Sequence, residues 1–251
     1  MGIEIFKKHL REKRAIKVSY RASLNNLENV AKFARAAQTA RASAIDIPCD
    51  KQAFDMARKY SKLPLFASSI HPFEILNAVK YGVDAIEIGN FNNYYSKAQA
   101  YNAFQIYDIV LETLGLINDY DVFVSVTIPG YILIEDQVLL AKKLQLLGVD
   151  LIHIEGISVA NRMYIKDDIS TVANLPTIYE NISTPIMASA VSTDIAKKLF
   201  SYGANAVDYD CLNPSSEVST SNDIRKIVSS VFHRNSINSE IPRILREYSL
   251  N

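Results

Sequence analysis

The chain has 251 residues and balances 27 Lys and Arg against 27 Asp and Glu. That length suits one large α/β domain or two small ones, and a neutral balance leaves no electrostatic footprint for nucleic acid or an anionic membrane surface. The longest near-apolar run, VFVSVTIPGYILI at 122–134, is too short to span a bilayer and is broken by Pro129 and Gly130.

In chain order, RAIKVSY (14–20) predicts a first strand near 15–20. A helix from Leu27 and a strand near 43–48, inside RASAIDIPC (41–49), follow. A helix from Lys51 leads to KLPLFASSI (62–70), with a strand at 64–69 opened by Pro64. After a helix from Pro72 comes YGVDAIEIGN (81–90), with a strand at 84–90. A helix from Ser96 precedes DYDVFVSVTIP (119–129), with a strand at 121–128. LIEDQVLLAKKLQLLG (133–148) places Val138, Ala141 and Leu144 on one helical face. LGVDLIHIEG (147–156) gives a strand at 150–156 and is followed by a helix from Val172. STPIMASAV (183–191) gives a strand at 185–190 after Pro185, then a helix from Thr193. YGANAVDYDC (202–211) gives a last strand at 206–210. A helical tail over 221–250 begins near Asn222, and its end, SEIPRILREYSLN, reads as a short helix closing one end of the fold.

The chain repeats itself. YGVDAIEIGN, LGVDLIHIEG and YGANAVDYDC each carry a helix-stopping glycine, at Gly82, Gly148 and Gly203, then Asp84, Asp150 or Asn205, then a strand. RASAIDIPC is a weaker fourth copy. Eight strands strictly alternating with helices imply parallel strands and a single (β/α)8 barrel, with a doubly wound open parallel sheet as the alternative. The barrel is preferred because odd and even strands differ in kind, as they do when interior layers are filled from alternate strands.

Glu87 interrupts an apolar run. Aligned on the repeat, it matches Asp46, His153 and Asp208, one from each even strand, and these four form one expected interior layer. One step towards the C-terminal mouth the matching set is Pro48, Gly89, Glu155 and Asp210. The odd strands, aligned at KVS, ASS, SVT and ASA, place Lys17 beside Ala67, Ser125 and Ala188, and then Ser19 beside Ser69, Thr127 and Ala190. Several carboxylates cannot share a low-dielectric interior as free anions, so they need a cation, shared protons or water. Lys17 supplies one charge, a protonated His153 another, and a divalent metal or a cationic ligand group could supply the rest. The bland account is a satisfied salt-bridge network that is part of the scaffold.

His71, in SIHP, and Asn90, with Asn92 in GNFNN, lie past strand ends, where βα loops build barrel sites. His9 and His233 read as solvated helical residues, and Phe91, Tyr94 and Tyr95 as packing. Cys49 and Cys211 form no metal or redox motif and read as inert, reduced thiols. The N-terminal MGIEIFKKHLREKR has no signal-peptide core, and Phe6 breaks the myristoylation pattern, so a soluble intracellular protein is expected.

VDAIEIGNF, VSVTIP, EDQVLLAKKL and GVDLIHIEG, in this order and spacing, resemble the plastid and cyanobacterial family named hypothetical chloroplast reading frame twenty-three. The likeness runs from about Arg14 to Asn213. It implies a TIM barrel and a plastid location, which a chain without a transit peptide fits if it is made inside the organelle. It implies no reaction. The family pattern carries glycines after strands seven and eight, where related barrels often hold phosphate. Here ASAVST (188–193) and VDYDCLNP (207–214) place Ala190, Asp208 and Asp210 instead. A backbone cradle needs close approach without side chains, and two carboxylates repel a phosphate, so a phosphate site is not expected there. EGISVANRMY (155–164) also lacks a run of small residues.

Two functional classes follow. The first is a small-molecule lyase or isomerase with Lys17, Glu87, His153 and Glu155 as acid–base or Schiff-base groups. Asp46, His71, Asn90, Ser125 and Thr127 would contact substrate, and Asp208 and Asp210 would take a divalent metal if one assists. The second is a non-catalytic barrel that senses a metabolite or docks a partner. No cofactor is certain, and nothing in the sequence marks an oligomer interface.

Overall fold

The computed structural model describes residues 2–89, 100–160, 163–166, 168–211 and 220–229. Helix α1 (Gly2–Arg11) precedes strand β1 (Ala15–Tyr20). Then come α2 (Leu27–Ala40), β2 (Ala44–Pro48), α3 (Lys51–Tyr60), β3 (Leu65–Ser69), α4 (Pro72–Lys80) and β4 (Ala85–Ile88). They are followed by α5 (Ala103–Leu116), β5 (Phe123–Pro129), α6 (Ile134–Leu146) and β6 (Leu151–Glu155). A hairpin, β7 (Ile157–Ala160) and β8 (Met163–Lys166), leads to α7 (Asp168–Tyr179), β9 (Ile186–Ala190), α8 (Thr193–Ser201) and β10 (Ala206–Cys211). Residues 220–229 form α9.

The strands close a barrel in the order β1-β10-β9-β6-β5-β4-β3-β2, and each neighbouring pair is parallel. The closed ring is the expected (β/α)8 barrel and removes the open sheet as an alternative. The antiparallel β7–β8 hairpin stands outside the ring, where the sequence suggested no element. Ser96 lies outside the described residues. Helix α5 starts at Ala103, where Asn102 and Gln105 form a reciprocal capping box that satisfies two otherwise free backbone donors. Helix α7 starts four residues before Val172.

The internal repeat has a mechanical reason. Gly82, Gly148 and Gly203 have φ of 83°, 78° and 112°, and Arg41 takes the same left-handed place in the weak copy with φ of 60°. The chain turns there and enters the next strand. Two residues on, Asp84 accepts a hydrogen bond from the Leu65 N–H, Asp150 from Val124, Asn205 from Ile186, and Ser43 from Ile16. Each copy therefore uses one side chain to satisfy a backbone donor at the first or second residue of the strand before it.

Alternation along the strands sorts side chains into two compartments. Ile16, Val18, Ile45, Ile47, Ile86, Ile88, Val126, Ile152 and Ile154 face outwards and pack beneath the helices. Ala15, Ala44, Phe66, Ala85, Phe123, Leu151, Met187 and Ala206 face inwards and form the lowest interior layer. Helix α1 closes this end. Phe6 and Leu10 enter the layer, with Phe6 edge-on to Phe66 and Phe123 at centroid distances of 5.0 and 5.8 Å. The closing helix is thus N-terminal. The C-terminal segment expected to close an end lies outside the described residues, beyond α9. His9, on α1, is half-buried with its Nδ1 2.8 Å from Ser43 Oγ, and burial, then Arg14, lowers its pKa.

Candidate functional site

Above the apolar floor the interior turns polar. The next inward positions are Lys17, Asp46, Ser68, Glu87, Ser125, His153, Ser189 and Asp208, all at or below 6 % exposure. The even strands supply Asp46, Glu87, His153 and Asp208 together, in the arrangement expected from the repeat. The odd strands differ at two places. Ala67 and Ala188 point outwards into the helix-facing core, and Ser68 and Ser189 take the inward places. Ala190 also points outwards, and Ser69 Oγ donates to Glu74 in the first turn of α4, so neither joins Ser19 and Thr127 inside. FASS and MASA carry no hydrophobic alternation at these positions. The register is set instead by Phe66 and Met187, which need the interior volume of the floor.

Lys17 rises from the floor, its ammonium 5.4 Å above the Phe66 ring, and meets three carboxylates. Its Nζ lies 2.5 Å from Glu87 Oε2, 3.2 Å from Asp46 Oδ2 and 3.6 Å from Asp208 Oδ2. Burial opposes its charge, but Asp208, Asp46 and Glu87 outweigh burial and raise its pKa above 10.5. Lys17 is therefore an ammonium at neutral pH, not the free amine that a base or Schiff-base nucleophile requires.

Arg21 was not singled out by the sequence, yet it completes the network. It continues the inward series Lys17, Ser19, Arg21 one residue past the end of β1, a two-residue periodicity that could have found it. Its Nε donates to Asp210 Oδ1 at 3.0 Å. Its terminal nitrogens stand 3.4 Å from Asp46 Oδ2 and 3.6 Å from Asp208 Oδ2.

His153 joins two carboxylates of opposite character. Nδ1 is 2.8 Å from Glu87 Oε1, and Nε2 is 2.9 Å from Ser189 Oγ and 3.8 Å from Asp208 Oδ2. Burial by itself pushes Glu87 up, but Lys17 and then His153 reverse this and hold it well below 4.5. Glu87 is thus an ionised acceptor, so Nδ1 of His153 donates to it. Thr127 donates to the same oxygen at 2.9 Å, and Ser125 reaches the other at 3.5 Å. Gly89 makes the Thr127 contact possible, since a Cβ there would strike Thr127 Oγ1. Asp208 goes the other way. Burial raises it above 3.8, Asp210 adds to the rise, and Lys17 and His153 offset only part of it. Ser19 donates to its Oδ1 at 2.6 Å.

Glu155 is buried at 4 % exposure, and its backbone carbonyl accepts from the Gly130 N–H at 2.6 Å. His71 occupies the N-cap position of α4, exposed on the rim, without a side-chain cap hydrogen bond. Asn90, Asn92, Phe91, Tyr94, Tyr95 and His233 lie outside the described residues. Donor atoms of Glu87, His153 and Asp208 fall within 4.8 Å of one another and could hold a metal ion. Such an ion has to compete with the Lys17 ammonium, while Asp210 is engaged by Arg21. Cys49 and Cys211 form no disulfide among the described residues, and burial, then Glu74 and Asp46, push Cys49 far above the ordinary thiol range. An apolar groove of about 460 Å³, lined by Tyr101, Phe104, Tyr131 and Leu133, lies among the loops before α5 and α6, apart from the charged layer.

The family profile described as Protein of unknown function (DUF561) matches residues 3–241. The chain belongs to this family. The relative named Uncharacterized protein ycf23 from Cyanidium caldarium is 32% identical over 202 residues, covering 78% of this chain and 80% of its own length. Its counterpart from Porphyra purpurea is 30% identical over 200 residues, covering 77% and 75%. Among solved structures, (S)-3-O-geranylgeranylglyceryl phosphate synthase from Thermoplasma acidophilum, in complex with sn-glycerol-1-phosphate, superposes with a TM-score of 0.62 at 14% identity, over 90% of this chain and 97% of that one. Thiamine phosphate pyrophosphorylase from Pyrococcus furiosus gives 0.57 at 12% identity, over 89% and 98%. At these identities the likeness is one of fold. No helix among the described residues is long and apolar enough to cross a membrane.

Proposed function

We propose that this DUF561 chain is a small-molecule enzyme of the lyase or isomerase kind, moving a proton at the C-terminal mouth of its barrel. The carrying observation is the pairing of Glu87 and Asp208 through His153, two carboxylates whose surroundings drive their pKa values apart. Such a pair divides acid from base work. Asp208 is the group that takes and returns the substrate proton. His153, oriented by Glu87, relays it. Lys17 and Arg21 are fixed cations able to stabilise negative charge developing on a substrate oxygen. Glu155, above them at the mouth, is the second proton carrier, and Asp46, Ser125 and Thr127 set the shape of the polar lining. A divalent metal on Glu87, His153 and Asp208 is the alternative cation for the same step. A plastid location is supported by the family resemblance.

Turnover can be sought without knowing the substrate. Purified protein is incubated with a small-molecule extract, and compounds are followed by mass spectrometry. The expected outcome is one pair of compounds that interconverts with the wild type and not with Glu87→Gln or His153→Gln. If no pair interconverts, or the variants match the wild type, the reading fails.

A docking role has one observation in its favour. Phe73, Phe104, Leu133, Ile169 and Val191 are each at least 61 % exposed, and all follow strand ends on the mouth face. A protein that sediments as a monomer and copurifies with no other chain counts against it.

A further inference from the structure

The charged layer has an excess of acid and an unfilled set of hydrogen bonds. Asp46, Glu87 and Asp208 contribute three carboxylates, while Lys17 and Arg21 are the permanent cations in contact with them among the described residues. Even so, Asp46 Oδ1, Asp208 Oδ2 and Arg21 Nη1 make no hydrogen bond among the described residues, and neither does Ser68 Oγ on the neighbouring strand. The side chains of Asp46 and Asp208 are fully buried and that of Arg21 is 9 % exposed. Buried polar atoms in native proteins are nearly always paired, so three orphans in this layer and Arg21 Nη1 above it call for a partner.

Ser68 Oγ can donate or accept, and the three charged orphans are of two kinds. Two are carboxylate oxygens, which only accept. One is a guanidinium N–H, which only donates. Arg21 stands 3.6 Å from the unpaired Asp208 Oδ2, a charge contact too long to saturate it, and its 3.4 Å contact on Asp46 is to Oδ2 rather than to the unpaired Oδ1. A metal ion would satisfy the two acceptors and leave Arg21 Nη1 unpaired. A phosphate would satisfy Arg21 and add negative charge to a layer already acidic. One chemistry answers both kinds of orphan.

We propose that the layer recognises a protonated amine carried beside an oxygen acceptor, as in an amino alcohol or an amino acid. The ligand ammonium meets the unpaired Asp46 Oδ1 and Asp208 Oδ2, competing there with the Lys17 ammonium as a metal ion would, and the neighbouring oxygen accepts from Arg21 Nη1. This names the ligand class of the mouth site and rests on the reading of that mouth as a small-molecule site. Asp208 on β10 then faces the ligand ammonium as well as its proton, and Asp210 holds Arg21 in place.

The test uses the full chain at neutral pH and constant ionic strength. Thermal unfolding and calorimetric titration are run with 2-aminoethanol, glycine, ethanediol, inorganic phosphate, and Mg²⁺ or Mn²⁺ with an EDTA control. The expected result is a saturable rise in midpoint with 2-aminoethanol or glycine, none with ethanediol or phosphate, and binding about tenfold weaker or worse in Asp46→Asn. Should Asp46→Asn fail to fold, Arg21→Lys is the second variant. It keeps the charge and loses the Nη1 donor, so it is expected to weaken glycine more than methylamine. A shift with phosphate, a metal shift reversed by EDTA without an amine effect, or no amine effect up to roughly 10 mM would each overturn the proposal. The outcome separates from that of the proposed function. Amine binding without interconversion of any compound sinks the enzyme reading alone, and turnover of a compound lacking an amine sinks this one alone.

Discussion

Replacing Lys17 by Met keeps the bulk of the side chain and removes its charge. The ammonium has three carboxylates within 3.6 Å and is fully buried. Removing one partner of a buried ion pair strands the remaining charge and costs about 3–5 kcal/mol. For a chain of this size each kcal/mol moves the melting midpoint by about 2–4 °C, so the expected loss is about 6–20 °C. The pH dependence carries more information. In the wild type Glu87 is held below 4.5, so the stability it contributes is present above that pH and is lost as pH falls through its folded value. Without Lys17, burial becomes the dominant influence on Glu87 and raises it. Through Glu87 the variant then gains stability on acidification from neutrality, a contribution the wild type lacks. Urea unfolding followed by circular dichroism at pH 7 and pH 5 is expected to show a gap that narrows at the lower pH. A gap below about 1 kcal/mol at pH 7, the size of a surface pair, or one of equal size at both pH values, refutes the argument that Lys17 balances the acids.

Phe6→Ala removes the aromatic plug of the barrel floor, where Phe6 is fully buried against Phe66 and Phe123. A loss of about 3–5 kcal/mol in urea unfolding is expected. A loss under 1 kcal/mol would mean that α1 does not seal the floor. Gly82→Ala and Gly203→Ala separate backbone strain from crowding. Both have positive φ, but a Cβ at Gly82 meets nothing within 4 Å, whereas at Gly203 it comes within 2.9 Å of the Tyr179 ring. Gly82→Ala is expected to cost about 1–2 kcal/mol and Gly203→Ala clearly more. Equal costs in thermal unfolding would put the crowding argument aside.

The repeat is where the sequence speaks most directly. Its glycines, its clamp residues Asp84, Asp150 and Asn205, and the strand that follows are all local chemistry. The structure adds Ser43 at the same place in the weak copy, with the same hydrogen bond as Asp84, Asp150 and Asn205. That is enough to derive alternating units, parallel strands and the even-strand set Asp46, Glu87, His153 and Asp208, because branched apolar residues on either side mark the outward face. Nothing local decides which of Ala67 or Ser68, and Ala188 or Ser189, turns inwards. Small residues carry no preference strong enough to set a register, and the choice falls to Phe66 and Met187 filling the floor. Closure of the barrel brings Arg21 over Asp46, Asp208 and Asp210, side chains up to 189 residues away along the chain. Closure also decides the protonation of the layer. The chain by itself determined which groups are ionisable. Only the folded barrel, by burying Lys17 among three acids and His153 between two, determined which of them hold a charge.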